Sequence, residues 1–512
     1  MPLMDRDRHA PTRAPLLGAV ILLLAACESQ RPLWDDGAFD ALVAESQAAP
    51  YPAPQSVSAP EPVHEPSMAP YGDGPKELAF LIDFALDNNP STRATWERAK
   101  AAAAEWAMVE SLWWPRLYAL GYGGYWQEAY AQSTGRLINT GPQGDLGLEL
   151  SWLLVDFGRR DALTEEARRA LLASNLTFNR ALQTLVFEMQ TAYYALDAAM
   201  ALEETAEQGV ETSRVQMEAV EDRLRNGLAI MPDVLLARQR FEQARFKLEA
   251  ARSTTFDARS MLAVKMGLPA DVPVEIVSLQ RLPVPTSLAE KVERLMAAGG
   301  TDRPDLLAAG QRVREAEARI RKAEADFLPT ISLHGALAQE WFNYTPDPAP
   351  ADGNYRVRMP TYSVGLRGSW LLFEGFERVN AVRKARADRN AAIADLTRIR
   401  LDVLNDVWKA YFKQLAAERQ FTFGQSLLAA SQDSYDAMFE AYVNGLRTLP
   451  ELLQAELDLA AARSTLIRTR ADLLESSARL AYAVGSPDMV GRYARGGDGG
   501  SAPDSAPSAA GR

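Results

Sequence analysis

The sequence predicts a mixed α/β protein, mainly α. Its protomer is an internal tandem repeat, and three copies complete a trimeric 12-stranded transmembrane β-barrel continued by a long coiled-coil helical barrel. Three observations predict this. The phrase SWLL stands at 151–154 and again at 369–372, short segments of alternating polarity lead into both copies, and very long proline-free heptad segments follow them.

The repeat comes first. An offset of 218 carries Ser151–Leu154 onto Ser369–Leu372 and Arg160 onto Arg378. Without a gap it carries Tyr193 onto Tyr411, Asn226-Gly227-Leu228 onto Asn444-Gly445-Leu446, Pro232 onto Pro450 and Gly267 onto Gly485. Upstream the offset is 214, carrying Pro90 onto Pro304 and Pro115 onto Pro329, so the two units differ by four residues between Pro115 and Ser151. Long ungapped correspondence means one structural unit used twice. The units are assigned to 76–285 and 286–485, each with a short helix, two strands and a long helical hairpin.

The strands follow from period-2 patterning. Ile331, Leu333, Gly335 and Leu337 alternate with Ser332, His334 and Ala336. After a Pro/Gly/Asn-rich stretch read as a loop over 345–360, Tyr362, Val364, Leu366 and Trp370 alternate with Ser363, Gly365, Arg367 and Ser369. In the first unit Leu146, Leu148, Leu150 and Trp152 alternate with Gly147, Glu149 and Ser151, while the strand over Leu117–Tyr130 alternates less cleanly. SWLL thus closes an amphipathic strand, with Trp152 and Trp370 on the apolar face where the aromatic girdle of a membrane barrel belongs. Glu149 and Arg367 occupy equivalent positions on the polar face, expected to line a water-filled lumen.

The helices are set by heptads. Between Arg159 and Arg225 there is no proline, and Gly209 is the only glycine. Leu171, Phe178, Leu185, Ala192 and Ala199 recur at sevens, as do Leu182, Met189 and Leu196, then Val210, Met217 and Leu224. Interleaved heptad series mean coiled-coil packing. Such a helix is a rod of roughly 100 Å, stopped at Asn226-Gly227. After Pro232 a second helix returns to about Met266, and with the helix ending near Trp114 it forms two shorter rods laid along the long one. The second unit turns at Asn444-Gly445 and restarts at Pro450.

Four amphipathic strands cannot close a barrel, and lipid does not tolerate open edges. Two copies would give eight strands and a filled interior; three give twelve, wide enough for a pore.

The ends carry other signals. An apolar run from Leu16 to Ala26, behind Arg6, Arg8 and Arg13, leads into Leu24-Ala25-Ala26-Cys27, the lone cysteine of the chain. The run is too short to span a bilayer and fits a signal peptide over 1–26, with small residues before Cys27 as at a bacterial lipobox. Residues 27–75 read as a lipidated N-terminus and Pro-rich linker, and 486–512 as a disordered tail. The net charge of −12 argues against nucleic acid. Three histidines, His9, His64 and His334, and the lack of HExxH and CxxC argue against metal and histidine catalysis. Residues Gly121, Gly123 and Gly124 do not match a nucleotide-binding fingerprint.

Together the lipobox, the duplicated strand–long helix–Asn-Gly turn–helix unit and the SWLL strand ends resemble the TolC-like outer membrane efflux protein family, in its lipidated branch serving tripartite RND-type pumps. The resemblance covers about residues 76–485. It implies a homotrimer in the bacterial outer membrane that extends into the periplasm. It further implies docking to a periplasmic adaptor protein and an inner-membrane pump, no cofactor, and a passive duct in place of an enzyme. It also implies a periplasmic gate at the hairpin tips. The family pattern falls on Tyr442, Gly445, Arg447 and Glu451, with Asp233 as the acidic partner in the first unit. Glu451 replaces the usual Asp, and Gln454 stands where a second acid often sits, so one carboxylate ring is expected instead of two. Otherwise these groups are solvated helix-cap charges. Two other readings stay open: a type I protein-secretion or metal-efflux duct of the same architecture, and a pore-less structural coiled-coil lipoprotein, which leaves the alternating strands unexplained.

Overall fold

The computed structural model describes residues 74–132, 135–280, 284, 292–347 and 355–485. In chain order these form α1 (Leu78–Asn88), α2 (Pro90–Glu110), β1 (Arg116–Gln132), β2 (Gly135–Val155), α3 (Arg159–Arg225) and α4 (Met231–Lys265). The second unit follows with α5 (Val292–Asp302), α6 (Pro304–Ala325), β3 (Thr330–Asp347), β4 (Tyr355–Ser369), α7 (Glu377–Val443) and α8 (Leu449–Val484). The signal segment, Cys27, nearly all of the Pro-rich linker and the C-terminal tail lie outside the described residues.

The strands form one four-stranded antiparallel sheet in the order β1-β2-β3-β4. Both outer strands, β1 and β4, have one edge with no strand partner among the described residues. The strands are longer than the alternation suggested. Much of the loop expected over 345–360 is strand, because β3 runs to Asp347 and β4 starts at Tyr355, with Tyr344 opposite Tyr355. Pro360 sits within β4 opposite Gln339, on an outer strand of the four-stranded sheet, the kind of strand to which proline is largely confined. Trp370 lies just beyond β4 instead of on it. In β2, Pro142 coincides with a break in the pairing to β3, which skips from Thr140–Thr345 to Gln143–Phe342. A Cβ on the neighbouring Gly141 would stand 1.8 Å from the Asn343 carbonyl oxygen, so only glycine passes there.

Helices α3 and α7 are both 67 residues long. Gly227 and Gly445 follow each helix at φ 73°, the left-handed stop expected from Asn-Gly. Leu171, Leu182, Leu185, Met189, Ala192, Leu196 and Ala199 of the heptad series are buried. Val210, Met217 and Leu224, nearer the turn, are half-buried in the protomer.

The shorter helices stack end to end along the long ones. Asn89, the N-cap of α2, donates from Nδ2 to the carbonyl of Lys265 at the end of α4 at 2.8 Å. In the second unit Arg303, the N-cap of α6, donates from Nη1 to the carbonyl of Ala483 at the end of α8 at 3.2 Å. The two short amphipathic helices α1 and α5 were not foreseen. Leu81 and Phe84 of α1 bury against Met189, Tyr193 and Leu196 of α3, and Leu295 of α5 buries against Val407 and Ala410 of α7. No described helix is long and apolar enough to cross a membrane.

Candidate functional site: strand faces, barrel junction and hairpin tips

Neighbours along a strand point to opposite faces, and cross-strand partners share a face. Glu149 pairs with Ala336, which pairs with Ser363; Arg367 pairs with Ser332, which pairs with Leu153. Residues 149 and 153 have the same parity in β2, as do 363 and 367 in β4, so Glu149 and Arg367 lie on one face. Leu148, Leu337 and Tyr362 form one rung of the opposite face, joined there by Leu150, Leu333 and Leu366. Contacts within the Glu149 face agree. Thr361 donates to the Glu340 carboxylate at 3.2 Å, Ser332 Oγ meets His334 Nε2 at 2.9 Å, and the Phe342 and Tyr344 rings stack at 5.4 Å, all on the Glu149 face.

Where the sheet meets the helices, both units build the same knot. The Trp152 indole donates to the Trp113 carbonyl at 2.9 Å, and the Trp370 indole donates to the Phe327 carbonyl at 3.0 Å. Each tryptophan therefore ties the end of one strand to the start of its neighbour. Arg160 donates to the carbonyls of Leu153 (2.7 Å) and Leu154 (3.0 Å), pairs with Asp156 at 3.1 Å and lies over the Trp113 ring at 4.2 Å. Arg378 donates to the Leu371 and Asp326 carbonyls, pairs with Glu374 and lies over the Phe327 ring at 5.2 Å. The corner between strand and long helix needs two consecutive left-handed residues. Phe157 (φ 52°) and Gly158 (φ 93°) supply them in the first unit, and Gly375 (φ 65°) and Phe376 (φ 68°) in the second. Both phenylalanines are exposed, as are Trp370 and Phe373.

At the far tips, the hairpins α3–α4 and α7–α8 pack together through Val220, Ala237, Leu449 and Leu453, with Tyr442 against them. The Tyr442 hydroxyl accepts from Arg223, whose guanidinium also lies 5.0 Å from the centre of the Tyr442 ring. Arg447 pairs with Glu451 at 3.0 Å. The other Glu451 oxygen accepts from the backbone N–H of Thr448 at 2.8 Å and from its hydroxyl at 2.9 Å, so Glu451 belongs to the N-terminal capping box of α8. The Thr448 N–H, then its hydroxyl, then Arg447 hold the Glu451 carboxyl below its ordinary value. Asp233 accepts from the Ile230 N–H at 3.3 Å and caps α4 in the same way. The four tip residues named from the sequence thus stand at the hairpin ends. Within one protomer Tyr442 belongs to Arg223, Arg447 to Glu451, and Asp233 to its own helix.

Sequence reasoning missed Arg223, and nothing in its spacing marks it, because its contact is made between hairpins. Arg160 and Arg378 were visible as repeat-equivalent residues, but their role emerges only once the strand ends are folded beside them. Among the described residues no cluster of side chains is arranged to hold a metal ion.

The family model for outer membrane efflux proteins matches residues 81–268 and again 301–486. Protein CyaE of Bordetella pertussis is 28% identical over 422 residues, spanning 81% of this chain and 86% of that protein. The toluene efflux pump outer membrane protein TtgC of Pseudomonas putida is 27% identical over 421 residues, spanning 80% of this chain and 82% of its own. Among solved structures, a membrane protein from Pseudomonas aeruginosa shares the fold with a TM-score of 0.70 at 23% identity, covering 83% of this chain and 99% of that one. The double match spans most of the described residues, once in each repeat, and the chain belongs to the outer membrane efflux protein family.

Proposed function

We propose that this outer membrane protein is the passive exit duct of a tripartite efflux system. It receives small molecules from a periplasmic adaptor protein and an inner-membrane pump of RND type. The observation that carries the reading is the open-edged sheet of four strands running directly into two 67-residue helices. Three copies pair β4 of one with β1 of the next, give twelve strands and leave no edge in lipid. The Glu149 and Arg367 face then lines the lumen, and the leucine face meets lipid. A relative named for toluene efflux favours small-molecule cargo.

Cys27 is proposed as the lipid attachment site after removal of residues 1–26. The hairpin tips are proposed as the gate. In a closed trimer Arg447 would exchange its bond to Glu451 for the Asp233 carboxylate of a neighbouring copy, and three Glu451 carboxylates would form a cation-binding ring.

The test is conductance. The purified protein should run as a trimer and form discrete channels in planar bilayers; a monomer without conductance would leave only the pore-less lipoprotein. For the anchor, Cys27→Ser should abolish incorporation of labelled fatty acid, and an unlabelled wild-type protein would remove the lipobox reading.

A further inference from the structure

The sheet separates its charges by face. On the Glu149 face stand Glu128, Asp145, Glu149 and Glu340, with Arg116 and Arg367 at the helix end. On the opposite face, Arg356 and Arg358 stand on β4 and Arg136 on β2. Among the described strand residues, Asp347 is the one acid on that opposite face. It lies four rungs beyond Arg356, roughly 13 Å farther out at strand rise. Arg136 is two residues from Ile138, the rung partner of Asp347, so that arginine has an acid beside it. Arg356 and Arg358 have none: both are exposed, and neither has an ionic partner among the described residues.

Their height is set by the strand. Arg358 is eleven residues beyond Ser369 at the helix end of β4. At about 3.3 Å per residue and a tilt near 40°, that is about 28 Å along the barrel axis, just above an apolar band of about 25 Å. Below it the same face carries Pro360, Tyr362, Val364 and Leu366. Level with it stands Trp341, the rung partner of Arg358, 42% exposed and lying across Gly144, where a Cβ would meet its ring at 2.5 Å. A tryptophan at this height marks the headgroup layer. Tyr125 of β1, paired with Pro142 of β2, is on the same face and 73% exposed.

From this arrangement we infer that Arg356 and Arg358 form an outward-facing binding site for the phosphate groups of an outer-leaflet lipid. Two arginines two residues apart on one face are roughly 7 Å from each other, close enough to bracket a phosphate with forked donors. Apolar residues below and an aromatic ring beside them match a molecule with acyl chains under a phosphorylated headgroup. A lumen-facing pair would meet only water and passing cargo. The inference rests on the assignment of the leucine face to lipid.

The probe is diphosphorylated lipid A, compared with its dephosphorylated form, titrated onto the purified detergent-solubilised full-length protein and read by native mass spectrometry. Wild type should retain the diphosphorylated lipid and not the dephosphorylated one. Each arginine near an anionic surface contributes a factor of about five in affinity, so Arg356→Gln with Arg358→Gln should weaken retention roughly 25-fold. Glu340→Gln, on the opposite face, should leave it within twofold, and unchanged channel conductance of the double variant reports intact folding. Equal retention by the double variant, equal retention of the dephosphorylated lipid, or displacement by millimolar inorganic phosphate would each overturn the site. Cysteines at Leu148 and Leu366 distinguish the two levels of failure. If they stay protected from water-soluble thiol reagents while lipid retention is unchanged, only the arginine site falls. If they react, the faces are exchanged and the duct geometry falls with it.

Discussion

At the scale of single residues, the barrel junction depends on two arginines whose surroundings differ. Arg160 and Asp156 are nearly sealed, with side chains 5% and 4% exposed, whereas Arg378 and Glu374 are 13% and 17% exposed. Removing one partner of a sealed pair strands the other charge and costs about 3–5 kcal/mol; water relieves part of that at the second site. Arg160→Ala should therefore lower the thermal unfolding temperature of the assembled protein by clearly more than Arg378→Ala. Equal losses would mean that the carbonyl bonds, which both arginines make, carry the effect in place of the ion pair. The corner phenylalanines raise a related point. A left-handed non-glycine residue costs about 1–2 kcal/mol, and each unit has a glycine at only one of the two left-handed positions. Phe157 and Phe376 occupy the other, exposed beside the sheet end where an aromatic residue can sit at the membrane surface.

At the scale of elements, the hairpin tips combine a capping box with contacts between hairpins. Glu451 satisfies α8 from within its own chain, and its folded carboxyl titrates below its ordinary value because the Thr448 N–H favours the charged form. The stability this adds is present above the ordinary glutamate range and is lost as the pH falls through the lowered value, so the α8 cap loosens only in acid. Tyr442 is different: it holds α7 to Arg223 of α3, and the gate proposed at the tips would have to break that link, together with an Arg447 contact to a neighbouring copy, on opening. Tyr442→Phe combined with Arg447→Ser should raise the conductance of the isolated channel with little change in its unfolding temperature, since these side chains are partly solvated and such links are worth about 1 kcal/mol or less. Unchanged conductance with normal trimer assembly would remove the gate from the tips. The tip residues were legible because Asn-Gly and the following proline fix where each hairpin turns. Arg223 was not legible, since its partner is 219 residues away and only the packing of α3 on α8 and α7 brings the two together.

At the scale of the whole molecule, the proposed barrel would set the two faces of one sheet against two solvents. A one-residue slip in register would exchange every side chain between them. Cysteine at position 149 or 367 should react with membrane-impermeant thiol reagents in the assembled protein, and cysteine at 148 or 366 should not; the opposite pattern would invert the barrel. In the proposed trimer, closure would also cover exposed apolar residues of the outer helices. Phe246, Phe256 and Met261 of α4 and Leu401 and Phe423 of α7 are exposed in the single protomer. Among the described residues these helices have no further neighbour beyond them, and the proposed trimer would pack the next copy there.

The sequence by itself determined the duplication, the lengths of α3 and α7, the sites where they turn, and which residues of β2 and β4 share a face. Each of these is a local property: heptads and a missing proline set helix length, Asn-Gly sets the stop, and alternation sets the face. Only the tertiary structure decided the rest. It extended β3 and β4 into the two ends of a Pro/Gly-rich stretch, to Asp347 and from Tyr355, because backbone groups pair wherever a neighbouring strand offers partners, whatever the side chains suggest. It stacked α2 on α4 and α6 on α8 through Asn89 and Arg303, residues with nothing in common as letters that occupy one position in two copies of a fold. And it gave SWLL its purpose, because the Trp152 and Trp370 indoles reach carbonyls 39 and 43 residues earlier in the chain, a separation that only the antiparallel return of the strands can close.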